Sequence, residues 1–60
     1  MTIEEVIAIA KTLRPDYRQI SVGDPALYHD NYRIEYGKYG PIFYYGNSWE
    51  DALRSAGWKG

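Results

Sequence analysis

Apolar residues in the opening stretch MTIEEVIAIAKTLRP fall three and four apart: Ile3, Val6, Ile7, Ala10 and Leu13, with Ile9 widening the stripe. That spacing gathers them on one face of a helix. Thr2 and, three residues later, Glu5 make a capping-box pattern at its start. Glu4 and Glu5 near the positive end, and Lys11 and Arg14 near the negative end, complement the helix dipole. Pro15 ends the element, because the residue before a proline avoids helical backbone. The period then changes to two. YRQISV, 17–22, reads as a strand with Ile20 and Val22 turned inward. GDPA, 23–26, is a turn in which glycine frees the backbone and Pro25 fixes φ. ALYHDN, 26–31, has no clear period. It reads as a connection that tucks Leu27 or Tyr28 against the core before Asp30 and Asn31 turn the chain.

YRIEY, 32–36, and PIFYY, 41–45, flank GKYG and predict a β-hairpin. A two-residue or four-residue loop around Lys38 and Tyr39 pairs Tyr36 with Pro41, Glu35 with Ile42, Ile34 with Phe43, Arg33 with Tyr44 and Tyr32 with Tyr45. Residues opposite one another share a face. Tyr32, Ile34, Tyr36, Phe43 and Tyr45 therefore fall on the expected core face, and Arg33, Glu35, Ile42 and Tyr44 on the outer one. After the hairpin, Ser48 is a good N-cap. Trp49, Ala52, Leu53 and Ala56 then form a second helical stripe. Gly57 is a natural stop, and Trp58 is expected to fold back under the helix end.

The expected architecture is α+β in the order α-β-β-β-α: a three-stranded antiparallel sheet with both helices packed on one face. Two helices with one apolar stripe each, and a sheet with one apolar face, leave the other sheet face to solvent. The 60 residues, 1–60, make one domain.

Composition sharpens this picture. A chain of this length buries only about 60% of the surface its unfolded form exposes, so its core is marginal. The absence of cysteine rules out a disulfide or thiolate staple. Ten aromatic residues, seven of them tyrosine, supply large side chains instead. The formal charge is −1, and no run of like charge exceeds two residues. A phosphate-binding protein more often carries a basic stripe. The apolar runs are short, so neither a signal peptide nor a membrane span is expected, and a cytoplasmic location is consistent with the lack of cysteine.

Catalytic chemistry finds little support. No thiol nucleophile exists, and Ser21, Ser48 and Ser55 are explained by strand alternation, capping and a polar helix face. His29 is the single histidine. With Asp24 and Asp30 nearby it could serve a weak metal or acid/base site, but turn chemistry accounts for all three. Glu50 and Asp51 suit a helix N-terminus better than a carboxylate pair. The expectation is a non-enzyme without metal or cofactor.

Two resemblances bear on nucleic acid. GKYGPIFYYG resembles the aromatic strand signature of RNA-recognition motifs through Lys38, Tyr39, Gly40, Phe43 and Tyr44. It departs from that signature in lacking the glycine after the basic residue, in placing Pro41 where an aromatic belongs, and in having no fourth strand. The element order is similar to that of double-stranded-RNA-binding domains. Its last three strands and helix also resemble the small sheet domains of some plant transcription factors and of phage integrase amino termini. The double-stranded-RNA-binding family would imply a lysine cluster at the second helix, where this chain has Ser48, Trp49, Glu50 and Asp51. On the sheet, Arg18, Arg33 and Lys38 are the only candidates for phosphate contacts.

Protein binding is the favoured expectation, because tyrosine and arginine concentrate at interface hot spots. The candidate partner-binding residues are Arg33, Glu35, Lys38, Tyr39, Ile42 and Tyr44, with Tyr39 and Tyr44 as anchors. Tyr17 and Gln19 extend the face if their strand lies at the sheet edge. On this reading Tyr44→Ala weakens binding and spares the fold. By type, such small cysteine-free domains resemble accessory proteins of phages and mobile elements that block a host-defence complex, as anti-CRISPR proteins do. A nucleic-acid-binding module on the same sheet is the alternative. A homodimer through β-edge pairing or face-to-face tyrosines is the third arrangement the pattern allows.

Overall fold

A computed structural model describes residues 1–23 and 31–60. Its elements are α1 (Ile3–Leu13), β1 (Tyr17–Val22), β2 (Tyr32–Tyr36), β3 (Ile42–Gly46) and α2 (Trp49–Ser55), the α-β-β-β-α order expected. The turn at 23–26, apart from Gly23, and the connection through Leu27, Tyr28 and His29 lie outside the described residues. The three strands form an antiparallel sheet in the order β1-β2-β3, with β2 central.

The cap of α1 is the one its sequence specifies. The Glu5 amide donates to Thr2 Oγ1 at 3.2 Å and the Thr2 amide donates to Glu5 Oε1 at 3.1 Å. The Thr2 backbone N–H first, and then the Thr2 hydroxyl, hold the Glu5 carboxyl below its usual range. Val6 and Ala10 are fully buried, and Ile9 and Leu13 pack beside them. Ile3 is exposed, so the buried stripe is rotated toward Ile9 from the one the spacing suggested.

At the other end of the chain, the Asp51 amide donates to the N-cap Ser48 Oγ at 3.2 Å. The helix closes with Gly57 N–H bonded to the Arg54 carbonyl and Trp58 N–H bonded to the Leu53 carbonyl. This is the paired closure that a left-handed glycine allows, and Gly57 sits at φ 112°. Trp58 is thereby folded back against the core.

Both helices cover the same sheet face. Val6 and Ala10 from α1, Ala52 and Leu53 from α2, and Ile34 and Tyr36 from β2 make one buried cluster. α1 lies toward β1 and α2 over β3 and β2. Tyr36 is the centre of this cluster. Its hydroxyl donates to the Ala10 carbonyl at 2.7 Å. Its ring meets Tyr17 and Tyr44 edge-on, at 6.1 and 5.5 Å between centroids.

Two local departures decide which side chains face out. A bulge between Tyr17 and Gln19 leaves Arg18 unpaired with β2, so Tyr17 lies opposite Tyr36 on the helix side instead of extending the outer face. Ile20 is half-buried as expected, whereas Val22 is exposed. The second departure is the hairpin. Its loop has five residues, 37–41, and pairs Tyr36 with Ile42, Glu35 with Phe43, Ile34 with Tyr44, Arg33 with Tyr45 and Tyr32 with Gly46. This register is one residue from the one inferred, and a one-residue slip turns every side chain to the opposite face. Ile42 and Tyr44 face the helices, and Phe43 and Tyr45 face out. The physical cause lies at Gly37, whose amide donates to the Asp16 carbonyl at 3.0 Å. That bond continues the pairing toward β1 and removes Gly37 from the hairpin ladder. Gly37 also sits at φ 122°, where only glycine is at ease.

Gly46 fixes the new register from the other end. A Cβ there would meet the Ala52 amide nitrogen and come within 2.6 Å of the Asp51 carbonyl carbon. Gly46→Ala must push α2 off the sheet and should lower stability by about 3 kcal/mol in urea melts. Gly40→Ala, with nothing within 4 Å of the added atom, should stay within about 0.5 kcal/mol of wild type.

Burial also pushes the phenols of Tyr36 and Tyr17 above their ordinary value. A group that holds its proton more tightly when folded stabilises the fold fully below its unfolded pKa. That contribution is lost as pH rises through the folded value. Melting temperature should therefore begin to fall above about pH 10 for the tyrosines' part. Tyr36→Phe should cost about 1 kcal/mol at neutral pH and make the alkaline fall shallower.

Candidate binding face

The open side of the sheet is built by alternation from three strands. Gln19, Glu35 and Phe43 form one row across it, and Ser21, Arg33 and Tyr45 the next. Arg18, released by the bulge, reaches the same side. Glu35 organises the first row: its Oε1 accepts from Gln19 Nε2 at 2.8 Å, and its Oε2 lies 3.4 Å from Arg18 Nε. The Glu35 side chain is mostly covered by these neighbours, while Arg18 stays half in solvent. Arg33 leans across β1 and packs over Gly23, where an added Cβ would collide with its Nη2.

The β3 flank of this face is different in kind. Phe43 and Tyr45 stand two residues apart with their rings 6.0 Å between centroids and tilted by 34°. They are 39% and 47% exposed, so large apolar surface meets water beside the network that joins Glu35 to Gln19 and Arg18. The face is divided into a polar half on β1 and β2 and an aromatic half on β3.

The six residues singled out from the sequence do not stay together. Arg33 and Glu35 lie on the open face as expected. Lys38 and Tyr39 occupy the hairpin tip, with Lys38 Nζ 5.6 Å from the centre of the Tyr39 ring. Tyr39 is 94% exposed. Ile42 and Tyr44 belong to the helix side. Tyr44 Oη accepts from Arg14 Nη1 at 3.0 Å, while Arg14 Nε and Nη2 grip the two Asp16 carboxylate oxygens at 2.9 and 2.8 Å. The Tyr44 hydroxyl first, and then the Asp16 carboxylate, hold the Arg14 guanidinium charged. Tyr44 thus links the end of α1 to β3 and is a structural residue. Phe43 and Tyr45 take the places on the open face assigned to Ile42 and Tyr44, while Ile42, at the start of β3, stays 39% exposed on the helix side. One signal in the sequence could have found them. A glycine two residues before the α2 N-cap suggests a close approach of backbones, and placing Gly46 on the helix side places Tyr44 there too.

Comparison with family models, curated proteins and solved structures gives no match for this chain. The reading of the face therefore rests on its own geometry. Among the described residues no three His, Asp or Glu side chains gather as a metal site. His29, Asp24 and Asp30 lie outside the described residues. No helix among those described is long and apolar enough to cross a membrane. A concavity lies between the end of α1 and the hairpin, lined by Pro15, Asp16, Tyr17, Arg18, Gly37 and Lys38. It brings Asp16 beside Arg18 and Lys38.

Removing the Tyr44 ring opens a gap beside Tyr36 and unties α1. Tyr44→Ala should therefore destabilise the fold by about 2 kcal/mol, read as an earlier urea midpoint. This is the reverse of the expectation that the same change spares the fold.

Proposed function

We propose that the domain works without catalysis, by docking on a larger protein through the open sheet face, with Phe43 and Tyr45 as anchors. The observation that carries this reading is the exposed, mutually packed pair of aromatic rings at the edge of the face, beside the network that joins Glu35 to Gln19 and Arg18. Such rings bury much area at little cost in conformational entropy. A partner that covers them gains the transfer of apolar surface from water. The neighbouring Glu35, Gln19 and Arg18 form a rim with fixed hydrogen-bond directions, which sets orientation more than affinity. On this proposal Arg33 and Glu35 set the orientation of the partner.

The small size, the absence of cysteine and the near-neutral charge support a cytoplasmic accessory protein that blocks a larger complex. The anti-CRISPR type of phage antagonist is the model for that proposal.

One observation favours a second reading. With Phe43 and Tyr45 on the same face as Arg18 and Arg33, the sheet offers stacking surfaces beside cations, the combination that single-stranded nucleic acids use. Against it stands Glu35, which engages Arg18 in the middle of the face.

The test is recovery of partners by the tagged domain, with and without nuclease. Docking predicts a protein that survives nuclease and is lost when Phe43 or Tyr45 is replaced by alanine, each costing about 2 kcal/mol of binding or more, with the melting curve unchanged. Partners that vanish with nuclease, and binding that falls steeply with salt, would transfer the face to nucleic acid.

A further inference from the structure

The two edges of the sheet are not alike. β1 carries a bulge at its start and the charged Arg18 within it, two devices that discourage another strand from pairing. β3 has neither. From Ile42 to Gly46 it holds no charge, no proline and no irregularity of pairing. Among the described residues no strand covers its outer side. At its far end α2 already claims the edge, where Ser55 Oγ donates to the Tyr45 carbonyl at 2.9 Å. The open stretch is Ile42 to Tyr44.

Beside that end lies a shallow, open depression lined by Tyr45, Gly46, Asn47, Asp51, Arg54 and Ser55. At the other end of the strand projects the hairpin tip, with Tyr39 almost wholly in solvent and Lys38 against its ring. A protrusion at one end of an open edge and a depression at the other let the edge meet itself under a two-fold rotation.

We propose that β3 pairs antiparallel with β3 of a second copy, about an axis through Phe43 and normal to the sheet. Ile42 then falls opposite the second copy's Tyr44, Gly40 opposite its Gly46 and Tyr39 opposite its Asn47. Each Tyr39 lies over the other copy's depression. Each Lys38 arrives at the first turn of the other α2, where Glu50 stands and where Asp51 is held by its own Arg54 at 3.1 Å. Glu50 is the carboxylate that complements Lys38 at each end of the interface, and the strand between them brings no like charges together. The six strands become one sheet with all four helices on one side. This dimer is independent of docking through the open face, which remains uncovered on the far side.

Sedimentation of the purified domain from micromolar to millimolar concentration tests it. Wild type should pass from the monomer mass to twice that mass. Tyr39→Ala sits at a solvent-exposed loop tip and leaves the fold alone. It should raise the dissociation constant roughly tenfold or more, as loss of a tyrosine anchor does. Lys38→Glu should act in the same direction. Amide exchange gives an internal control: amides of β3 should slow as concentration rises, and those of β1 should not. A monomer at every concentration overturns the proposal. So does a dimer indifferent to both substitutions, or one that protects β1 instead of β3.

Discussion

The Tyr36 side chain is the contact on which the rest of this small fold depends. It is fully buried, yet its hydroxyl has a partner in the Ala10 carbonyl, so the polar end of a large core residue carries no unmet desolvation cost. Its ring stacks edge-on with Tyr17 from β1 and Tyr44 from β3, and Arg14 lies 5.5 Å above its centre. One side chain on the central strand thereby fixes the last turns of α1 and both neighbouring strands. A domain of this length has few such residues to spend, and it places its largest buried one where three elements meet.

That arrangement explains why the aromatics divide into two populations. Those on the helix side, Tyr17, Tyr32, Tyr36, Tyr44 and Trp49, are tied to one another by edge-on rings or by hydrogen bonds. Those outside, Phe43 and Tyr45, touch each other and the solvent. The division follows strictly from strand parity. It puts two exposed aromatic rings side by side on one edge strand, next to a polar network centred on Glu35.

The helices were legible because their signals are local: a capping box, two stripes and a closing glycine all lie within a few residues of what they control. The strands' existence was legible for the same reason. The faces of β1 and β3 were not, because each is set by a contact distant in sequence. Gly37 leaves the hairpin ladder to bond Asp16, twenty-one residues earlier, and nothing within GKYG reports that partner. The bulge at Arg18 likewise answers to where Tyr36 needs Tyr17. One lost residue of register moved Tyr44 from a proposed anchor to a core tie, and brought Phe43 and Tyr45 into solvent. Arg33 and Glu35 kept their face because β2 is central and its alternation is unbroken.

The central claim is this register, since both the core and the binding face follow from it. Cross-strand nuclear Overhauser contacts in the labelled domain test it most directly. The structure predicts contacts between Tyr36 and Ile42 and between Ile34 and Tyr44, with the Tyr44 ring close to Tyr36. Contacts between Tyr36 and Pro41 and between Ile34 and Phe43 would contradict it, returning Tyr44 to the outer face and Phe43 to the core.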